Sequence, residues 1–536
     1  MSPAAPTAAT AGRPTEATSA AGLDRTADRT RARSTVGLVP HRCPAAPAIA
    51  GTLGPWERVD SDGESEEQTI PNRFDLIVVG AGSGGFAAAR TARDLGANVA
   101  LVDPGPLGGL CILRGCMPSK TLLATADLLH EIRNAGELAV HAGEPKLDFR
   151  ALQQRKRRLV KGWADYRIAG IETFPTFSGA ARFESPTTLR VGEEILYAPR
   201  FVIATGSRVA PAAVPGLAEA GFIDSDAALD LEEPPKSLIV LGGGYVGSEL
   251  GQFFHRAGVP VTVLLRSKHL LSGEDHDVGF GLTEYFREEG IAVETGAQVH
   301  RVSVRADGMK VVHYTRGGEE HEAAAHEIFY ALGRVPNVDG LALENAGVQY
   351  HEITGIPVDE TLRTSNPDVY AVGDVTGLHL LVHVAIQQGE IAGRNAATGA
   401  RERVDYRLSK THTVFTDPQV AVVGETEREL QAAGVEYLVA SYPFEDHGKA
   451  VALGRTKGFV KMMASPKDGR ILGAAILGPD ASDLIEPLIV AMAYGATVQD
   501  YARIPHLHPT LVEILTYPAE ELAERLRTIP ALAVAK

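Results

Sequence analysis

Cys111 and Cys116 are two of only three cysteines in the chain. They stand five positions apart in Gly108-Gly109-Leu110-Cys111-Ile112-Leu113-Arg114-Gly115-Cys116-Met117-Pro118-Ser119-Lys120. Thiols can bind a metal or be oxidised against each other. The usual structural zinc site takes four ligands, so two cysteines are too few for it. On a regular helix five residues advance about 7.5 Å, whereas the Cα atoms of a disulfide rarely lie more than about 7 Å apart. A bridge here needs a distorted helical turn, and Gly115 can supply the freedom for one. Strained or exposed disulfides are the reducible, catalytic kind. Taken alone, the spacing leaves a redox pair and a structural pair both open. Arg114 stands beside the pair, where a guanidinium either lowers a thiol pKa or points to solvent.

Two glycine-rich segments carry a second kind of chemistry. Gly80-Ala81-Gly82-Ser83-Gly84-Gly85 follows an apolar run, Leu76 to Val79, and opens a helical pattern. Gly80 allows the tight turn, Gly82 lets backbone approach a pyrophosphate, and Gly85 lets helix and strand pack closely. The helix N-terminus offers free N–H groups and a positive dipole end to phosphates. Asp103, twenty-three positions after Gly80, can accept hydrogen bonds from a ribose. The second segment, Gly242-Gly243-Gly244-Tyr245-Val246-Gly247, follows Leu238–Leu241. The same count reaches Leu265 rather than an acid, and Arg266 comes next, with Lys268 nearby. A guanidinium in place of a carboxylate suits the 2′-phosphate of NADP, so NADP(H) is favoured over NAD(H). Gly247 pulls the other way, because glycine at that third position is the common NAD form.

These residues need elements to hold them. The pattern strand, glycine turn, helix to about Gly96, strand Val99–Val102 returns at Ser237–Leu265, offset by 162 positions. A repeated βαβ unit predicts two nucleotide-binding domains. From about Leu408 a further α/β pattern predicts a strand at Gly458–Met463 and a helix near Asp483–Tyr494. Residues 1 to about 72 lack hydrophobic periodicity and read as a disordered extension. Cys43 lies there and receives no role. Glu16, Asp24 and Asp28 disagree with an acid-poor targeting peptide.

Composition narrows the class. The formal charge of −15 argues against a general nucleic-acid binder, which shows a basic face. Three cysteines do not make a secreted disulfide framework. No stretch approaches the roughly 18 apolar residues of a membrane helix, and no secretory signal is visible, so a cytoplasmic protein is expected.

The cysteine segment resembles the redox motif of the class I pyridine nucleotide–disulfide oxidoreductases, which include glutathione reductase, dihydrolipoamide dehydrogenase and mercuric reductase. Further motifs agree over about residues 74–525. Ala204-Thr205-Gly206 resembles the strand end that closes the FAD domain, and Gly333-Arg334-Val335-Pro336-Asn337 the segment leaving the NAD(P) domain. Tyr370-Ala371-Val372-Gly373-Asp374 resembles the second FAD motif, whose Asp contacts the ribityl chain. Val414-Phe415-Thr416-Asp417-Pro418 resembles the start of the dimerisation domain, and His506-Leu507-His508-Pro509-Thr510-Leu511-Val512-Glu513 the final catalytic motif.

The resemblance implies an α/β fold with two Rossmann-like FAD and NAD(P) domains and a C-terminal α+β dimerisation domain. FAD would be held by residues 73–208 and 338–408, NAD(P) by 209–337, and the homodimer by 409–525, with 526–536 as a tail. It implies an FAD enzyme with a Cys111–Cys116 disulfide. Cys116 lies nearer the flavin, Cys111 is the interchange thiol, and Lys120 near the flavin pairs with Glu249. His508 is the acid/base, oriented by Glu513, and reaches the cysteines of the other subunit. Histidine titrates near neutrality, and a carboxylate partner fixes its tautomer.

The acceptor is a small disulfide, or a dithiol in the reverse direction. Ser83 and Arg90 match positions that glutathione reductase uses around glutathione, whereas the HxHPTxxE form is more like dihydrolipoamide dehydrogenase. Ser272 replaces a second arginine expected for the 2′-phosphate. No cysteine follows Pro530, which disfavours mercuric reductase and the large thioredoxin reductases. Leu110, Leu113 and Arg114 depart from the small or polar residues usual beside the cysteines, which points away from the three well-known substrates and to a less studied disulfide reductase subgroup. A soluble NAD(P) transhydrogenase or diaphorase, a mercuric reductase-like enzyme, and a subunit of a 2-oxoacid dehydrogenase complex are the alternatives.

Overall fold

The computed structural model describes residues 72–528. The extension expected to be disordered, with Cys43, and residues 529–536 lie outside them. Leu76–Val79 forms β1, buried at all four positions. An unbroken apolar run of this kind suits a parallel strand covered on both faces. The chain turns into helix α1 (Ser83–Asp94) and returns as β2 (Val99–Asp103), parallel to β1 with Leu76 opposite Val99. The complete sheet has five parallel strands. Their spatial order is Val369–Ala371, Arg200–Ile203, β1, β2, Thr176–Ser178.

The outermost strand comes from much later in the chain, and a helix follows it. Val382–Thr398 lies against α1. A Cβ on Gly389 would come within 2.2 Å of the Gly84 carbonyl oxygen, and one on Gly393 within 2.4 Å of that of Ala88. Only glycine allows the two backbones to meet so closely.

The predicted repeat is realised as a second parallel sheet, ordered Ala292–Thr295, Val261–Leu265, Leu238–Leu241, Glu327–Tyr330. Its glycine turn opens the helix Tyr245–Arg256. The C-terminal part holds a five-stranded antiparallel sheet in the order His412–Val414, Gln419–Gly424, Ile471–Gly478, Phe459–Ala464, Leu438–Pro443. The strand expected at 458–463 is thus displaced by one residue. The helix expected near 483–494 is two pieces, Ala481–Leu484 and Glu486–Ala493. Pro487 explains the break: it has no N–H to donate, its ring clashes with the carbonyl four residues back, and it favours a helix start.

Three helices connect the first unit to the others. They are α2 (Leu110–Arg114), α3 (Cys116–Asn134) and α4 (Phe149–Ile171). Where α3 meets Tyr245–Arg256, the Arg256 side chain is 1% exposed. It pairs with Asp127 of α3 at 2.8 Å, Glu289 at 2.5 Å and Asp417 at 2.8 Å. A buried guanidinium is tolerable only with such a full set of partners. Among the described residues no helix is long and apolar enough to cross a membrane.

Candidate active site

The cysteine segment is a broken helix, as its spacing predicts. α2 ends at Arg114, Gly115 separates the helices, and α3 begins at Cys116. A side chain at Gly115 would crowd the turn, since a Cβ would lie 3.0 Å from the Leu110 carbonyl oxygen and 3.2 Å from the Cys111 Cα. The two thiols, both half-buried, form a hydrogen bond with each other. The Cys111 pKa is raised by that bond and by burial. Cys116 is lowered to about 6: the bond from Cys111 is the main cause, burial opposes it, and the Lys120 charge adds to it. Cys116 is also the first residue of a 19-residue helix whose N-cap, Gly115, offers no side chain. The free N–H groups and dipole at such an end favour an anion.

Lys120 stands one turn along α3. Its Nζ is 2.8 Å from Glu249 Oε2 and 3.1 Å from Oε1, and its ammonium lies 4.4 Å from the centre of the Phe415 ring. Glu249, on the helix Tyr245–Arg256, also accepts the Phe415 N–H at 2.9 Å. Cysteines, lysine and glutamate therefore form one cluster.

Arg114 does not serve the thiols. Its guanidinium is exposed and lies 3.4 Å from Asp226. Arg90 pairs with Glu390 at 3.0 Å. Arg167 of α4, a residue the sequence did not single out, pulls the Cys111 pKa down, against the larger effects of the Cys116 bond and burial. It lies among the exposed Arg155, Arg157, Arg158 and Lys161, and no local signal distinguishes it.

Both glycine turns have the geometry a dinucleotide needs. Gly80 has φ +103°, and a Cβ there would lie 2.3 Å from the Ala204 carbonyl oxygen; one at Gly85 would lie 1.8 Å from that of Gly80. These glycines are required by the protein's own packing. Around Gly82 the nearest atom to a Cβ would be the Gly109 Cα, 3.8 Å away, and α1 has no side-chain cap. An open position before an uncapped helix is a cradle for phosphate. The pattern repeats at Gly242 (φ +110°), open Gly244 and tightly packed Gly247, before the uncapped helix Tyr245–Arg256. FAD and a pyridine nucleotide thus fit the residues present.

The remaining expected positions gather near the first turn or the second. Asp103 accepts the Ala81 N–H at 2.8 Å and the Gly105 N–H at 2.7 Å, and each oxygen keeps a further lone pair for a ribose. Thr205 Oγ1 donates to the Asn337 carbonyl, and Asn337 Nδ2 returns a bond to that of Thr205. This pair ties the strand end before Gly206 to the segment after Gly333. Asp374 accepts from Ser207 Oγ at 2.6 Å; burial raises its pKa, against the pull of Ser207 and Arg334. Arg266 is exposed at the end of Val261–Leu265.

His508 and Glu513 are brought together, Nδ1 to Oε2 at 3.0 Å, with side-chain exposures of 78% and 20%. His508 makes no hydrogen bond to either cysteine of its own chain among the described residues; its hydrogen-bond partner is Glu513.

A family model described as pyridine nucleotide-disulphide oxidoreductase matches residues 74–389, and that of the family's dimerisation domain matches 411–519. A dihydrolipoyl dehydrogenase of Geobacillus stearothermophilus is 36% identical over 454 residues, covering 83% of this chain and 95% of that protein. A mercuric reductase of Streptomyces lividans is 36% identical over 460 residues, covering 83% and 96%. Among solved structures, the HOCl-induced flavoprotein disulfide reductase RclA from Escherichia coli matches with a TM-score of 0.73 at 26% identity, over 85% of this chain and all of that one.

Proposed function

Because the chain belongs to the pyridine nucleotide-disulphide oxidoreductase family, we propose that it is a homodimeric FAD enzyme that reduces a small disulfide with NADPH through Cys111 and Cys116. The observation that carries this reading is the lowered Cys116 thiol at the uncapped head of α3, beside the Lys120–Glu249 pair. In this reading residues 73–208 and 338–408 hold FAD, 209–337 hold the nucleotide, and 409–525 form the dimer contact.

FAD, when bound, supplies the two-electron relay between nicotinamide and sulfur. Cys116 keeps the thiolate, stabilised by the helix end and by Lys120. Cys111 gives its proton to His508 of the partner subunit and attacks the acceptor disulfide. A bond forms from its sulfur to one acceptor sulfur, the acceptor S–S bond breaks, and the departing thiolate takes a proton from His508 of the partner subunit. The Cys116 thiolate then attacks Cys111, closing the bridge and breaking the mixed disulfide; the second acceptor sulfur leaves as a thiolate and is protonated by solvent. Oxidation of a dithiol runs the same steps backwards. Arg266, with no acid at position 265, supports NADPH over NADH.

An anaerobic titration of the purified protein with NADPH and, separately, NADH, followed by absorbance, tests this. A long-wavelength charge-transfer band after two electrons, formed faster with NADPH, is expected. Flavin bleaching without that band would remove the cysteines from the electron path and leave a transhydrogenase or diaphorase. Faster reaction with NADH would overturn the nucleotide preference.

A further inference from the structure

Arg167 lies on α4, outside every motif the sequence offers. Its guanidinium carbon sits 4.9 Å from the centre of the Phe86 ring on α1. The ring is itself confined. A Cβ on Gly170 would come within 2.9 Å of it, and Phe174 meets it edge-on with centroids 6.3 Å apart. An arginine over a wedged aromatic face has a fixed head group.

This guanidinium is half-buried and carries no compensating carboxylate. Among the described residues none lies within ion-pair distance of Arg167, in contrast to Arg90 with Glu390 and Arg114 with Asp226. Withdrawing a charge from water without a partner is unfavourable. Burial and the nearby Arg90 both push the Arg167 pKa down, and the groups that favour its charge are Cys111 and Tyr166. In the oxidised enzyme Cys111 is in a disulfide and has no charge. The helix α4 that carries this uncompensated cation packs against α2, which carries the sulfur that meets the acceptor.

From this cluster, and on the reading of Cys111 as the interchange thiol, we infer that Arg167 selects acceptor disulfides carrying a carboxylate or other acidic group close to the S–S bond. The reaction gives such a residue work to do. The Cys111 thiolate and an acidic acceptor are both negative, and their approach is repulsive without a cation between them. As the new S–S bond forms, the Cys111 charge passes to the departing thiolate. Arg167 is then free to hold the acidic group of the mixed disulfide. A planar guanidinium suits a carboxylate better than an ammonium does.

The test compares the FAD-loaded dimer with its Arg167→Gln and Arg167→Lys variants, using NADPH and two probes. One is 5,5′-dithiobis(2-nitrobenzoate), which carries carboxylates; the other is uncharged 4,4′-dithiodipyridine. Arg167→Gln is expected to lower kcat/KM for the anionic disulfide by about tenfold or more and to change the uncharged one by less than about twofold. Arg167→Lys is expected to restore part of the loss. Equal losses on both probes, or no loss, would overturn the inference. A second readout needs no turnover. In protein reduced with dithiothreitol, the rate of Cys111 alkylation by iodoacetate relative to iodoacetamide is expected to fall several-fold in Arg167→Gln, and an unchanged ratio would overturn the inference. Cys116, Lys120 and Glu249, the other groups facing the pair, are the same in all three proteins. A wild-type enzyme that reduces neither probe with NADPH would instead overturn the proposed NADPH-dependent disulfide reduction, and the alkylation ratio would still judge Arg167.

Discussion

Glu249 holds Lys120 with both carboxylate oxygens, at 2.8 and 3.1 Å, and uses one of them to accept the Phe415 N–H. The carboxylate side chain is 8% exposed and the lysine 31%. Three segments far apart in sequence therefore depend on one acid. Glu249→Leu is expected to strand both the ammonium and the N–H, lowering stability by about 2 kcal/mol or more. Glu249→Gln keeps an acceptor and loses less. In both variants NADPH reduces the flavin more slowly in stopped flow, by about tenfold. An unchanged rate would show that Lys120 acts without its partner.

The Cys116 thiol, lowered to about 6 chiefly by the bond from Cys111, sets a pH dependence. A depressed pKa means that the thiolate persists above pH 6 and is lost as the pH falls through it. In Cys111→Ser, which keeps a donor, the charge-transfer absorbance is expected to titrate near 6. In Cys111→Ala the donor is gone and the midpoint moves up towards the ordinary thiol range. The same midpoint in both variants would mean that the sulfur–sulfur bond does not set it.

His508→Gln removes the proton donor while leaving α3 untouched. Turnover of a disulfide is expected to fall by about 100- to 10,000-fold, with flavin reduction by NADPH unchanged. Mixing this variant with Cys111→Ser subunits and finding no restored activity in the heterodimers would contradict the cross-subunit role.

Arg256 ties α3 to Glu289 and Asp417 with almost no exposure. Arg256→Met leaves these carboxylates facing one another, and a loss of about 3–5 kcal/mol is expected in urea unfolding. Glu289 is lowered to about 2; burial opposes the shift, but bonds from His130, Arg256 and Gln252 outweigh it. The unfolded chain therefore binds the proton more readily. This contribution to stability is full above about pH 4.5 and fades as the pH falls towards 2. The variant is expected to show a shallower acid loss across that window. A parallel curve would remove Arg256 from the explanation.

The turns at Gly80 and Gly242 were legible because glycine spacing and apolar runs are local signals, and the structure packs those glycines as the spacing predicts. The helix break at Gly115 was legible for the same reason. The Lys120–Glu249 pair spans 129 positions and was reachable only through family resemblance. Arg256, and the pairing of Arg114 with Asp226, were not reachable, since which charges lose their water depends on how distant helices cross. Arg167 is the plainest case. It resembles its solvated neighbours on α4 until Phe86 and Cys111 arrive from elsewhere in the chain.

The first parallel sheet also sets an order of events at the ribosome. Arg200–Ile203 lies between β1 and Val369–Ala371, so its outer edge stays unpaired while the whole intervening nucleotide unit is made. At ordinary synthesis rates of about 5–20 residues per second, that exposure lasts roughly ten to thirty seconds. For the same interval the glycine face of α1 has no helix to receive it, because Gly389 and Gly393 have not emerged. An open strand edge is a template for pairing with other chains. The nascent protein therefore has a window in which a chaperone has something definite to cover, and it closes when Val382–Thr398 docks.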